Sequence, residues 1–256
     1  MNGAIPALAD WSAPADLLHD RTILVTGAAN GIGRALAAAL AAHGATTILL
    51  DKDVRGLEQT CDRITAAGHV EPALAPMDLT GATANDYRDL ADTIGAEYRR
   101  LDGLVHSAAM LGALVPLAHF EDDLWLQTLQ VNLNAPCQLT LACLPLLENS
   151  ADASIIFVAD AVGRRGKAYW GAYGVAKAGL EGFMQILADE LEANTTVRVN
   201  SLDPGPVLTG LRRLAYPAEN AAMLNAPDDV VKPFLYLLGP DSAGITGQQL
   251  SVATML

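Results

Sequence analysis

The chain is poor in cysteine, in basic residues and in long apolar runs. Its three cysteines, Cys61, Cys137 and Cys143, are odd in number and show no metal-ligand spacing. This argues against a disulfide framework or a cysteine-built metal centre, and reduced thiols in a cytoplasmic setting are expected. Lys and Arg total 16 against 29 Asp and Glu, a formal charge of −13, so nucleic acid and anionic membrane surfaces are not expected partners. The acidity reads as solubility and says nothing about substrate charge. No uninterrupted apolar run reaches ~18 residues, so no membrane-spanning helix is expected. The opening MNGAIPALADWSAPADLLHD has no basic stretch ahead of an apolar one, so no secretory signal is expected either.

What is present is a globular composition, 51% apolar and 18% charged over 256 residues. A chain of that size buries roughly 70–75% of its unfolded surface. Residues 1–20 read as an N-terminal arm, with Trp11 and Leu17–Leu18 available to pack it, and 21–256 as one domain. Short apolar runs then alternate with helical patterns. Thr22–Gly27, Thr46–Asp51, Ala153–Asp160, Thr196–Gly205 and Gln248–Ala253 read as strands, and two more lie within Glu71–Asp78 and Leu101–Ala109. Helices are expected over Gly31–Gly44, Val54–Ala67, Asp86–Arg100, Phe120–Leu147, Ala172–Ala193 and Asp228–Leu238. The alternation predicts an α/β fold, a doubly wound parallel sheet of about seven strands with helices on both faces. Leu208–Pro227 is irregular, and reads equally as a lid over a substrate site or as a surface loop.

TGAANGIG, Thr26–Gly33, follows the first strand and opens the first helix. Gly27 permits the tight turn, Gly31 lets backbone approach a pyrophosphate, and Gly33 allows close packing of helix on strand. The helix start offers free N–H groups to phosphates, with Asn30 and Ile32 inside the same loop. The spacing is TGxxxGxG rather than GxGxxG, and here the chain resembles the short-chain dehydrogenase/reductase superfamily, a single-domain Rossmann fold. The resemblance covers about residues 20–253, and Val162–Leu191 most resembles a branch of uncharacterised bacterial oxidoreductases. Asp51 ends the second strand, where a carboxylate can accept from adenosine ribose hydroxyls and repel a 2′-phosphate. NAD is therefore the expected cofactor, with NADP kept open by the neighbouring Lys52. The resemblance assigns Asp78–Leu79 to the adenine, Ser107–Ala108 to the close approach of the cofactor, and PGPVLT (Pro204, Gly205, Val207 and Thr209 within it) to the nicotinamide carboxamide. His106 reads as a packed histidine.

Tyr173 and Lys177 form YxxxK on one helix face, and lysine beside tyrosine favours the tyrosinate that exchanges a proton with substrate. The resemblance assigns Lys177 also to the nicotinamide ribose, and Asn132 to a proton relay through its main-chain carbonyl. Pro136, four residues on, has no N–H to return to that carbonyl. The family's catalytic serine lies 13 residues before the tyrosine, and that position is Asp160. An ionised carboxylate cannot donate, and it would push Tyr173 upward. A protonated Asp160, or one paired with a cationic substrate group, would restore function. The implied activity is NAD(P)-dependent interconversion of a hydroxyl and a carbonyl on a small molecule, in a homodimer or homotetramer. The alternatives are a catalytically impaired nucleotide-binding protein, or a hydratase or isomerase on the same fold.

Overall fold

The computed structural model describes residues 8–255; the first seven residues of the expected arm, and Leu256, lie outside the described residues. The elements run β1 (Thr22–Thr26), α1 (Gly31–Ala42), β2 (Thr46–Asp51), α2 (Val54–Ala66), β3 (Ala73–Pro76), α3 (Ala84–Tyr98) and β4 (Gly103–His106). They continue with α4 (Asp122–Leu129), α5 (Ala135–Glu148), β5 (Ser154–Val158), α6 (Ala161–Arg164) and α7 (Gly171–Glu192). The last are β6 (Arg198–Asp203), α8 (Gly210–Ala215), α9 (Val231–Leu238), β7 (Gln249–Ser251) and α10 (Val252–Met255). All seven strands are parallel, in the order β3-β2-β1-β4-β5-β6-β7. The order reverses between β1 and β4, and in such sheets ligands bind in the crevice beyond the strand C-termini at that point.

Strand alternation sends consecutive side chains into two separate cores. Ile23 and Val25 face Leu36 and Leu40 of α1 and Phe234 and Leu237 of α9. Leu24, Ile155 and Phe157 face the opposite layer, with Tyr87 of α3, Leu139 and Cys143 of α5, and Leu180 and Met184 of α7. Leu8 and Leu18 are buried in the first core, and Trp11 donates Nε1 to Asp241 at 2.8 Å while meeting Tyr236 edge-on. The strand N-termini carry an ion network. Asp152 receives Arg21 at 2.5 Å and Arg198 at 2.7 Å, and Asp102 receives Arg100, the Ser150 hydroxyl and the Thr22 N–H.

Several expectations are corrected. The long helix over Phe120–Leu147 divides into α4 and α5, and it opens around Asn132, as the resemblance implies, in a π-helical segment at Gln130–Asn134. Pro136 explains the change: without its N–H the α-helical bond to Asn132 cannot form, and the ladder widens by one residue. β3 is half-exposed, because it is the sheet edge. β7 stops at Ser251 and turns helical, so Val252 and Ala253 leave the strand. β5 stops at Val158, because the Asp160 carboxylate caps α6 by accepting from the Val162 N–H at 3.0 Å. The stretch expected to be irregular contains α8 and a 3-10 turn at Ala221–Met223.

Candidate active site

The β1–α1 turn is built to bring backbone close to a ligand. Gly27 has φ +71°, and a Cβ there would lie 2.7 Å from the Ala108 nitrogen. A Cβ on Gly33 would stand 2.2 Å from the Gly27 carbonyl oxygen, so the first turn of α1 seats directly on the loop. Thr26 completes the frame, its hydroxyl accepting from the N–H groups of Ser107 and Ala108 at 3.1 Å each. That joins the ends of β1 and β4 across the point where the strand order reverses. Thr26 stands in the glycine motif itself, so its hydroxyl was the available signal for this role. Arg34 returns from the first helical turn to donate to the Ala29 carbonyl. A cleft of about 420 Å³ opens here, lined among others by Asn30, Gly31, Arg34, Thr209 and Arg213. Free N–H groups, a positive helix end and two guanidinium groups are what a pyrophosphate requires. The residues present fit a dinucleotide.

Of the other expected cofactor positions only Thr209 lines this cleft, and the rest have differing local duties. Asp51 accepts from the Ala29 N–H at 3.1 Å with one oxygen and from Asp53 at 3.0 Å with the other. The carboxylate therefore braces the glycine loop as well as ending β2. Lys52 is exposed, and Ile32 packs its side chain against the first core. The Thr80 N–H and hydroxyl hold the Asp78 carboxyl below the usual carboxylate range, with Lys52 adding a smaller pull; Leu79 is buried. After β6, Pro204 and Val207 are buried, Gly205 turns with φ +70°, and Thr209 lies over Gly31 and caps α8.

At the C-terminal edge of β5 the Tyr173 hydroxyl donates to Asp160 Oδ2 at 3.1 Å. Lys177 is buried; its Nζ donates to the Val158 carbonyl at 2.7 Å and lies 5.7 Å from the Tyr173 ring centroid. Burial, then Asp160, hold the Tyr173 phenol well above its ordinary value. Of the two opposed expectations for this phenol, the upward push of Asp160 holds and the lowering by Lys177 is corrected. Burial lowers Lys177 itself to about 8, against smaller opposing effects of Asp160, Glu181 and Asp203. Asn132 is buried and spends its side chain locally, exchanging hydrogen bonds with the Met110 backbone at 3.1 and 2.7 Å and donating to the Thr128 carbonyl. Its main-chain carbonyl is the one that Pro136 leaves without an α-helical donor. His106 stacks on Phe157, contacts the Thr140 hydroxyl at 2.8 Å, and is pushed down to about 3 by burial, so it is a neutral packed side chain.

Two features had no sequence-level reading. Asp203 ends β6 beside this cluster. The second is an aromatic wall in which Val162, Trp170 and Tyr173 pack with Leu111, Leu114, Leu211, Ala215 and Tyr216. Lys167 and Arg212 lie over the Tyr216 ring, and Lys167 donates to its hydroxyl. Leu211, Ala215 and Tyr216 belong to the stretch that read as lid or loop, so α8 forms part of the wall beside Tyr173.

Among the described residues no helix is long and apolar enough to cross a membrane. The sequence matches the short chain dehydrogenase family over residues 21–220. It is 42% identical over 232 residues to the uncharacterised oxidoreductase YciK of Escherichia coli K12, covering 91% of each chain. A chain from Pseudomonas syringae assigned as a short-chain dehydrogenase superposes with a TM-score of 0.93 at 50% identity, covering 95% of this chain and 98% of that one. A Shigella flexneri chain of the same assignment, solved in complex with NADP, gives 0.91 at 40% identity over 94% of this chain and all of that one. With the reversed strand order, the glycine-lined turn and the Tyr173–Lys177 pair, these findings show that the chain belongs to the short-chain dehydrogenase/reductase family of NAD(P)-dependent oxidoreductases.

Proposed function

We propose that the protein interconverts a secondary or primary alcohol and its carbonyl compound, with Asp160 as the proton acceptor in place of a serine hydroxyl. The hydrogen bond from Tyr173 to Asp160 at 3.1 Å carries this reading. The bound dinucleotide would accept or supply the hydride. The substrate hydroxyl then meets the Tyr173 hydroxyl, which keeps its own proton because burial and Asp160 hold it there. As the alcohol is oxidised, its proton passes to Tyr173 Oη while the Tyr173 proton passes to Asp160 Oδ2. One proton enters the pair and one moves along it, and reduction reverses both steps. Lys177 keeps one N–H on Val158 and has two others for ribose hydroxyls. The wall of Leu111, Leu114, Leu211 and Trp170 suits a substrate with an apolar body.

NAD is the preferred cofactor in this reading, because Asp51 is held at the end of β2 where a 2′-phosphate would meet it. NADP, bound by the Shigella flexneri relative, is the alternative, and Lys52 is the residue that would serve it. The raised Tyr173 also favours a second reading, a nucleotide-binding protein with little turnover. On α7 an apolar stripe of Ala176, Leu180, Phe183 and Leu187 suits either an interface or a core; Ala176, Leu180 and Leu187 are buried and Phe183 partly so, whereas Val175 and Ile186 on the outer face are 50% and 60% exposed. We place a homodimer or homotetramer contact on that outer face. Calorimetric titration with NAD+, NADH, NADP+ and NADPH, followed by an alcohol panel read at the nicotinamide absorbance, tests the proposal. Binding with turnover supports it, binding without turnover selects the second reading, and no binding of any nucleotide overturns both.

A further inference from the structure

We propose that Asp203, together with Asp160, makes the protein bind the oxidised, cationic dinucleotide more tightly than the reduced, neutral one. The inference rests on the nicotinamide lying beside Tyr173. Leu202 pairs with Val158, and the Ala159 N–H donates to the Leu202 carbonyl at 2.9 Å. Asp160 and Asp203 therefore leave neighbouring strands together, at the same edge of the sheet. Asp203 Oδ1 accepts from the Gly205 N–H at 2.9 Å, which fixes the carboxylate inside the turn that leads to Val207 and Thr209.

The surrounding cations are engaged with other groups. Arg164 is committed to Glu181 at 2.9 Å, and Arg212 to Glu219 through two bonds of 2.6 Å. Lys167 is turned to Tyr216. That leaves Lys177 facing two carboxylates, and its buried Nζ is spent on a backbone carbonyl. Burial pushes the Asp203 carboxyl up and the Gly205 N–H pulls it down; Asp160 adds to the push and Arg164, itself bound to Glu181, opposes it from a distance, so among the described residues no ion pair offsets the cost of burying this carboxylate. A pyridinium ring has the missing charge, and a dihydropyridine ring does not. The difference acts only on the redox state of the ring, since the adenosine and pyrophosphate are the same in both forms. It stabilises the bound oxidised cofactor over the bound reduced one, which opposes alcohol oxidation in the equilibrium between bound species and hastens loss of the reduced product.

The test is calorimetry with NAD+, NADH and ADP-ribose, which lacks the nicotinamide, on the full chain and on Asp203→Asn. The amide oxygen keeps the acceptor for Gly205. In the native protein NAD+ is expected to bind about tenfold tighter than NADH, roughly 1.4 kcal/mol. Asp203→Asn is expected to remove most of that ratio while leaving ADP-ribose affinity unchanged. NADH binding as tightly as NAD+ in the native protein overturns the inference, whatever the variant does, and so does a ratio that survives Asp203→Asn. If NAD+, NADH and ADP-ribose all fail to bind, the cofactor seat itself is wrong and the proposed function falls with it. ADP-ribose binding with an inverted ratio removes this inference alone.

Discussion

Replacing Asp160 by asparagine removes one charge from the site and turns the acceptor facing Tyr173 into a donor. Asn keeps an oxygen for the Val162 N–H, so the cap of α6 is retained. Toward Tyr173 it presents the amide nitrogen in place of Oδ2, so it donates to the phenol oxygen instead of accepting the hydroxyl proton. What it cannot do is take the proton. If Asp160 is the terminal acceptor in alcohol oxidation, the loss should match that of a positioned general base, about 10²–10⁴ in kcat. At 1.36 kcal/mol per decade that is about 3–5 kcal/mol of transition-state stabilisation. The phenol should become more acidic at the same time, because one of the causes holding it up is gone. Stopped-flow oxidation of a responsive alcohol gives the first quantity, and spectrophotometric titration of wild type and variant against Tyr173→Phe gives the second. Oxidation at the native rate by Asp160→Asn would refute the proton-acceptor role. A rate that rises on Asp160→Ser would show instead that the native carboxylate obstructs a site that works better with a hydroxyl donor.

Other consequences are equally measurable. His106 is lowered from its ordinary 6.5 to about 3, so the unfolded chain binds the extra proton first as pH falls. Stability from this group is complete above pH 6.5 and declines towards pH 3, by about 2 kcal/mol at pH 5. Urea denaturation at pH 7 and pH 5 should show that loss in the native protein and less of it in His106→Gln. Gly33→Ala places a methyl group 2.2 Å from the Gly27 oxygen, so loss of dinucleotide affinity and at least about 2 kcal/mol of stability are expected by calorimetry and thermal melting. Ile186→Asp on the exposed face of α7 should shift the sedimentation coefficient towards that of a monomer without altering Tyr173 chemistry; an unchanged coefficient would move the oligomer contact elsewhere.

The fold was legible because its signals are local. Buried parallel strands are short apolar runs, and TILVT or SIIFV cannot be read otherwise once helical patterns flank them. The glycine loop was legible for the same reason, since the spacing of Gly27, Gly31 and Gly33 carries its geometry. Pro136 was a covalent signal and correctly marked where the long helix opens. Illegible features depend on neighbours distant in sequence. Nothing in LDPG says that Asp203 ends beside Asp160, because that follows from β6 pairing with β5. For Tyr173 the upward push of Asp160 was legible at its position 13 residues earlier, but YxxxK shows the lysine and not the depth of burial, which is the larger cause. Likewise α8 is hidden in a stretch rich in turn residues, and only its packing on Trp170 makes it part of the site.

The arginine–carboxylate network at the strand N-termini gives the two ends of the sheet different tolerances. There every charge has an opposite nearby, with Arg198, Arg21 and Arg100 answered by Asp152 and Asp102. Variation at that end should be read out as thermal fragility while the kinetics stay intact. At the other end Asp160 and Asp203 leave the sheet side by side and, among the described residues, neither has an ion pair, so exchanging one for a neutral isostere relieves repulsion and gives a sturdier but slower protein. For these two carboxylates, melting temperature and activity should therefore move in opposite directions.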